Sequence, residues 1–177
     1  MIEGMVASPS HSPSLEWPGL VLPGYGVSQQ NRGGWFSTGL GHVNEIAPGR
    51  RRFHTIIPAF LTQNGQAQMG FGIMGGNMQP QAHLQTLVRM LVYRQHPQAA
   101  CDAPRWRFNE GLAINAETHW PAETLAGLSA AGHDIQNFND SYQDFGAGQF
   151  IWRLGNPAVE GYVAASDPRR DGAAVAY

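Results

Sequence analysis

The residues of this chain best suited to chemistry lie in one short run, Gly72-Ile73-Met74-Gly75-Gly76-Asn77. The run closes a strand-like stretch and opens onto a segment of helical period, so it is expected at a strand-to-helix junction. Consecutive glycines there let a ligand or a reaction intermediate approach the main chain closely. The N–H groups of Gly75 and Gly76, near a helix N-terminus, could stabilise a developing oxyanion. A tight turn that holds no ligand is the other reading, because paired glycines are common in turns.

A second group is Arg50-Arg51-Arg52-Phe53-His54-Thr55. Three arginines leading into a strand could take a substrate carboxylate by bidentate contact, or form a solvated loop. His54 offers a proton acceptor and Thr55 a hydroxyl. On a strand, neighbours point to opposite faces, which argues against the two working as a simple pair. The seven histidines show no H-x-H or HExxH spacing, so neither a metal nor a cofactor is expected. Asp144-Phe145-Gly146 imitates a kinase tripeptide, but the paired lysine and the catalytic loop are absent. That match is accidental. No G-x-S-x-G elbow or P-loop occurs.

The elements that must position these residues are legible in outline. Leu20–Leu22 and Gly26–Asn31 are short strand candidates. Thr55–Thr62 and Gln66–Met74 form a hairpin about Asn64-Gly65, a dipeptide suited to a type I′ turn. Pro58 must then lie where its missing N–H does no harm. A helix is predicted from Pro80 through Tyr93, with Leu84, Leu87, Val88, Leu91 and Val92 at helical spacing. A short helix follows at Pro97–Asp102, and another at Pro121–Ala131 with Leu125 and Leu128 inward and Gly132 as its stop. Arg105–Phe108, Leu112–Asn115, His133–Phe138, Gln149–Leu154 and Tyr162–Ala165 complete the strands. Strands with helices outside them imply a layered α/β or α+β domain over residues 19–177. Residues 1–18, with alternating Ser and Pro, read as a flexible tail.

Composition narrows the partners. The hydrophobic fraction is 42% and the charged fraction 14%, which describes a globular chain with few charges. A net charge of −2 gives no reason to expect nucleic acid or an anionic membrane as partner. Cys101 is the lone cysteine, so no intrachain disulfide forms. No apolar run approaches a membrane span, and no secretory signal stands at the start.

Read in order, several pieces resemble the small subunit of gamma-glutamyltransferases. They are Gly26 to Ser37, Ala47-Pro48-Gly49-Arg50-Arg51, Thr55 to Leu61, Gly72-Ile73-Met74-Gly75-Gly76 and Leu84-Gln85-Thr86-Leu87. Asp102-Ala103-Pro104-Arg105, Gly132-His133 and Ala164-Ala165-Ser166-Asp167-Pro168-Arg169 follow. The texture of Gln30-Asn31-Arg32-Gly33 and of Phe53 to Pro58 is closest to a subgroup that departs from the glutathione-cleaving enzymes.

The resemblance implies an N-terminal-nucleophile hydrolase-like α/β/β/α sandwich, here incomplete because N-terminal strands and the large subunit are missing. It also implies an amide hydrolase or transferase that passes a gamma-glutamyl group to water or an amine through an N-terminal threonine. Gly75 and Gly76 match the family's oxyanion-hole glycines. His54 and Thr55 fall where a pair of serines usually lies near the substrate carboxylate. Arg32 falls where a glutamine often lies, and Trp35 where an aspartate usually grips the substrate's α-amino group. Losing that aspartate leaves an altered gamma-glutamyl or acyl-amide substrate open.

No Thr-Thr-His start precedes Gly26, so the chain is expected to lack the attacking threonine and to be inactive alone. Its expected partners are the amide substrate and either a complementary large-subunit chain or another copy of itself, because missing strands leave sheet edges open. A non-catalytic binding or assembly domain that keeps the fold is the alternative. Attack by a residue inside the chain, such as Thr55, would need a nearby base.

Overall fold

The computed structural model describes residues 21–28, 32–138 and 144–175. The region read as a tail and the end of the second strand candidate, Gln29–Asn31, lie outside them. The described residues divide into two compact units, one reaching Ile56 and one beginning at Ile57.

The first unit has little regular structure. Strands β1 (Val21–Leu22) and β2 (Val27–Ser28) pair antiparallel, and a 3-10 turn covers Arg32–Trp35. Residues 50–58, predicted in part as a strand, have no regular structure. Several large apolar side chains are open to solvent, among them Leu40, Val43 and Phe53.

The second unit carries strands β3 (Ala59–Gln63) and β4 (Gln66–Met74), then helices α1 (Met78–Leu91) and α2 (Pro97–Asp102). Strands β5 (Trp106–Glu110) and β6 (Ala113–Glu117), helix α3 (Ala122–Ala130) and strands β7 (Asp134–Phe138), β8 (Ala147–Arg153) and β9 (Tyr162–Ser166) follow. One sheet has the order β3-β4-β8-β9 and is antiparallel throughout; the other has the order β5-β6-β7. The pair β6-β7 is parallel, and α3 is the crossover that a parallel pair requires.

The β3-β4 hairpin forms about Asn64 (φ 52°) and Gly65 (φ 76°), both positive as a type I′ turn demands. Its first arm starts later than expected. β3 begins at Ala59, one residue past Pro58, which has no N–H to give to a ladder. Helix α3 ends as the sequence implies. Gly132 N–H donates to Ser129 O (3.0 Å) and His133 N–H to Leu128 O (3.1 Å), a Schellman pattern.

Helix α1 corrects the apolar stripe read from its sequence. Its buried residues are Met78, Ala82, Thr86 and Met90, one turn apart, whereas Leu84 is 61% and Val92 66% exposed. Small side chains in the middle of that stripe suit a helix lying close on a sheet. Thr86 is admitted because its Oγ1 donates to Ala82 O at 2.7 Å. The helix covers one face of the four-stranded sheet, where Met69, Phe71, Ile73 and Phe150 join Met78, Ala82, Met90, Cys101 and Phe145 in one core. Phe71 and Phe150 are register partners and stack at 5.7 Å. The opposite face of the same sheet leaves Phe60, Ile151 and Tyr162 exposed.

Two strand edges are closed by glutamines acting as peptide mimics. Gln81 and Gln85, one turn apart on α1, each both accept from and donate to β5, at Phe108 and Trp106 respectively. Gln98 of α2 does the same to Ser166 on β9.

Candidate active site

The glycine run sits where its sequence placed it. β4 ends at Met74 and α1 begins at Met78, so Gly75, Gly76 and Asn77 make the whole connection. Gly75 O accepts from Met78 N–H (2.9 Å) and Gly76 O from Gln79 N–H (3.1 Å). The carbonyls are thus spent on starting the helix. Among the described residues, neither the Gly75 nor the Gly76 N–H donates to a protein acceptor. Both groups lie just before the N-cap, Asn77, whose side chain makes no capping bond, so neither is taken up by the helix.

Space differs at the two glycines. A Cβ on Gly75 (φ 136°) would stand 2.9 Å from Gly146 Cα and 3.3 Å from Met78 Cβ, so no side chain fits. A Cβ on Gly76 (φ 55°) would meet nothing within 4 Å. The junction is packed tight on one side and open on the other.

The strand leading into it is pinned by a histidine. Phe71 is the last β4 residue paired with β3, and two residues on, Ile73 N–H donates to His83 Nε2 at 3.1 Å. A ring nitrogen of α1 thereby accepts the bond that the shortened β3 cannot. Burial holds the His83 pKa below its ordinary value, consistent with a neutral ring whose Nε2 lone pair is occupied.

The remaining sequence candidates lie in the other unit. Arg32 is buried, and its Nη1 donates to Thr55 Oγ1 at 2.7 Å. His54 is exposed, its Nδ1 accepting from Ile56 N–H at 3.1 Å. The structure joins Arg32 to Thr55, while the His54 ring bonds to Ile56. This stretch is no strand, so the alternation expected from the sequence does not apply to it. Trp35 is half exposed, and its carbonyl accepts from Asn44 Nδ2 at 2.6 Å. Arg50 and Arg51 are exposed, as in a solvated loop, and Arg52 donates to Phe53 O.

Arg105, Asp167 and Arg169, which carry part of the resemblance, form a buried ionic network with Glu117. Arg105 Nη2 meets Asp167 Oδ2 at 2.5 Å, and Arg169 meets Glu117 at 2.6 Å and Asp167 at 3.0 Å. All four side chains are nearly or wholly excluded from solvent. Arg105 Nη1 also donates to Phe145 O (2.9 Å) and Gly146 O (3.1 Å), and Asp167 Oδ2 accepts from Gly148 N–H (2.9 Å). The available signal was charge next to proline, in Ala-Pro-Arg and Asp-Pro-Arg, within a chain poor in charges. Gly146 was hidden in the tripeptide that only imitates a kinase motif.

The family model described as gamma-glutamyltranspeptidase matches residues 14–177. The chain is 35% identical over 158 residues to the glutathione hydrolase-like YwrD proenzyme of Bacillus subtilis, covering 85% of this chain and 29% of that one. It is 34% identical over 164 residues to the oxamate amidohydrolase proenzyme of Klebsiella pneumoniae subsp. pneumoniae, covering 90% and 30%. The chain thus spans about three-tenths of the length of these curated relatives. Among solved structures, the cephalosporin acylase from Bacillus halodurans superposes with a TM-score of 0.76 at 42% identity, over 88% of this chain and 28% of that one. The gamma-glutamyltranspeptidase from Pseudomonas nitroreducens shares the fold with a TM-score of 0.78 at 21% identity, over 98% and 94%. These neighbours carry the N-terminal-nucleophile hydrolase fold expected from the sequence, of which this chain holds a part. With residues 14–177 matched, the chain belongs to the gamma-glutamyltranspeptidase family, whose C-terminal portion it represents.

Proposed function

We propose that this chain supplies the oxyanion-binding portion of an amide hydrolase or transferase. Its substrate would be a gamma-glutamyl or related acyl amide, attacked by an N-terminal threonine provided from outside the described residues. The observation that carries the reading is the pair of undonated N–H groups at Gly75 and Gly76, beside an open space and at the start of α1. When a nucleophile adds to an amide carbonyl, the oxygen becomes an oxyanion that needs fixed donors. Collapse of that adduct expels the amine, and water or an acceptor amine then takes the acyl group.

The attacking group is sought elsewhere because Thr55 is a poor choice. Its hydroxyl oxygen accepts from the Arg32 guanidinium, which makes it less basic, and His54 is committed to Ile56. Arg32 with Thr55 suits a different task. A buried guanidinium steadied by a hydroxyl is a receptor for a substrate carboxylate, with Trp35 exposed in the same unit. The names of the relatives (a glutathione hydrolase-like protein, an oxamate amidohydrolase and a cephalosporin acylase) support amide cleavage as the common chemistry. Their greater length supports a complementary polypeptide as partner.

The test is release of nitroaniline from L-γ-glutamyl-p-nitroanilide, and of ammonia from oxamate, by two folded samples. One is the purified chain; the other is the chain co-expressed with the N-terminal remainder of the YwrD relative. Turnover of at least one amide by the associated pair, and none by the chain alone, is expected. Turnover by the chain alone would place the attacking group within these residues and overturn that part of the reading. A folded, associated pair with no turnover of either amide would favour a binding domain that keeps only the fold.

A further inference from the structure

The tight side of the glycine junction is built by residues far from it in sequence. Gly75 can approach so closely only because Gly146 also lacks a side chain. A Cβ on Gly146 (φ 67°) would lie 2.3 Å from Met74 O and 3.2 Å from Ile73 Cγ2. The segment 145–146 therefore bears directly on the backbone of residues 74–75, as a wall without side chains of its own at the contact.

That wall is held from behind by charge. Arg105 is 1% exposed and reaches two consecutive carbonyls of the wall, Phe145 O and Gly146 O, with one nitrogen, while its other terminal nitrogen is paired with Asp167. Asp167 in turn accepts from Gly148 N–H, two residues along, and its own N–H donates to Gly148 O at 3.0 Å. Phe145 is 0% exposed and anchors the same segment in the core. A planar guanidinium fork fixes both distance and direction, which a lysine ammonium cannot do. The chain of contact runs from Asp167 to Arg105, to the 145–146 carbonyls, to Gly75.

We infer that Arg105, held by Asp167, is a positioning residue for the Gly75–Gly76 donors, acting through Gly146. The inference rests on the oxyanion reading of those glycines only for its catalytic consequence; the mechanical link stands by itself. Arg169 is the built-in contrast. It shares Asp167 and Glu117 and contributes to the same buried network, but its side-chain bonds go to Cys101 O and Ala103 O and not to the wall.

The experiment compares Arg105→Lys, Asp167→Asn, Gly146→Ala and Arg169→Lys in the full chain. The amide signals of Gly75 and Gly76 are read in proton–nitrogen NMR spectra, alongside thermal midpoints, and kcat and KM are read in the co-expressed pair. Arg105→Lys, Asp167→Asn and Gly146→Ala should each shift both glycine amides and lower kcat about 10- to 100-fold with KM within about 2-fold. Arg169→Lys should lower the thermal midpoint and leave the two amides in place. Asp167→Asn, which keeps a side-chain oxygen for Gly148, serves where Arg105→Lys does not fold. Glycine amides that stay fixed in a destabilised Arg105→Lys or Asp167→Asn protein would overturn the link. Amides that move without any change in kcat would uphold the link and sink the oxyanion reading instead.

Discussion

His83 shows how one side chain can replace a missing strand. Its ring is half-buried against Phe71 at 5.0 Å and accepts the Ile73 N–H where β3 has stopped. Protonation would remove the lone pair that takes this bond. Because its folded pKa is lowered, the unfolded chain binds the proton more readily than the folded one. The stabilisation is thus fully present above the unfolded value, near 6.5, and is lost as pH falls from there towards the folded value. Urea midpoints measured from pH 8 to pH 5 should fall more steeply for the natural protein than for His83→Gln, which keeps an acceptor and cannot titrate. Parallel curves would show that His83 is not neutral and buried as described.

At the scale of elements, the glutamine clasps decide how α1 and α2 meet their sheets. An edge strand offers unpaired N–H and C=O groups that invite pairing with another chain. Gln81 and Gln85 present an amide to Phe108 and Trp106 in the same sense as a neighbouring strand would. Replacing Gln85 by Leu keeps the bulk and removes both bonds, leaving the Trp106 backbone pair without its partner. The expected cost is about 1–3 kcal/mol, measurable by denaturant unfolding. Little of this was legible beforehand. The helix was visible in its apolar spacing, yet which face is buried depends on how close the sheet comes. Leu84 fits the spacing and points to solvent, whereas Thr86 does not look like core and is buried.

For the second unit as a whole, the four buried charges act as a tie between distant segments. Arg105, Glu117, Asp167 and Arg169 join the end of α2, the end of β6, the start of β8 and the end of β9. Removing one partner strands the others in a dry interior. Arg105→Ala should therefore destabilise the protein by roughly 3–5 kcal/mol in denaturant unfolding, against well under that for an exposed arginine such as Arg51. A loss no larger than that of Arg51→Ala would mean that water reaches the cluster.

The sequence by itself determined whatever depends on near neighbours in the chain. The Asn64-Gly65 turn, the helix stop at Gly132, the glycine junction after β4 and the identity of the family all follow from local residue types, whose backbone preferences and order need no partner. Only the tertiary structure decided the rest. Pro58 set the start of β3, but that His83 would take the vacated bond depends on α1 folding back over β4. Arg105 and Asp167 stand 62 residues apart, and Gly75 and Gly146 meet where the paired strands β4 and β8 end and begin. Such pairings carry no local signature, because their energy exists only once the solvent between them has been removed.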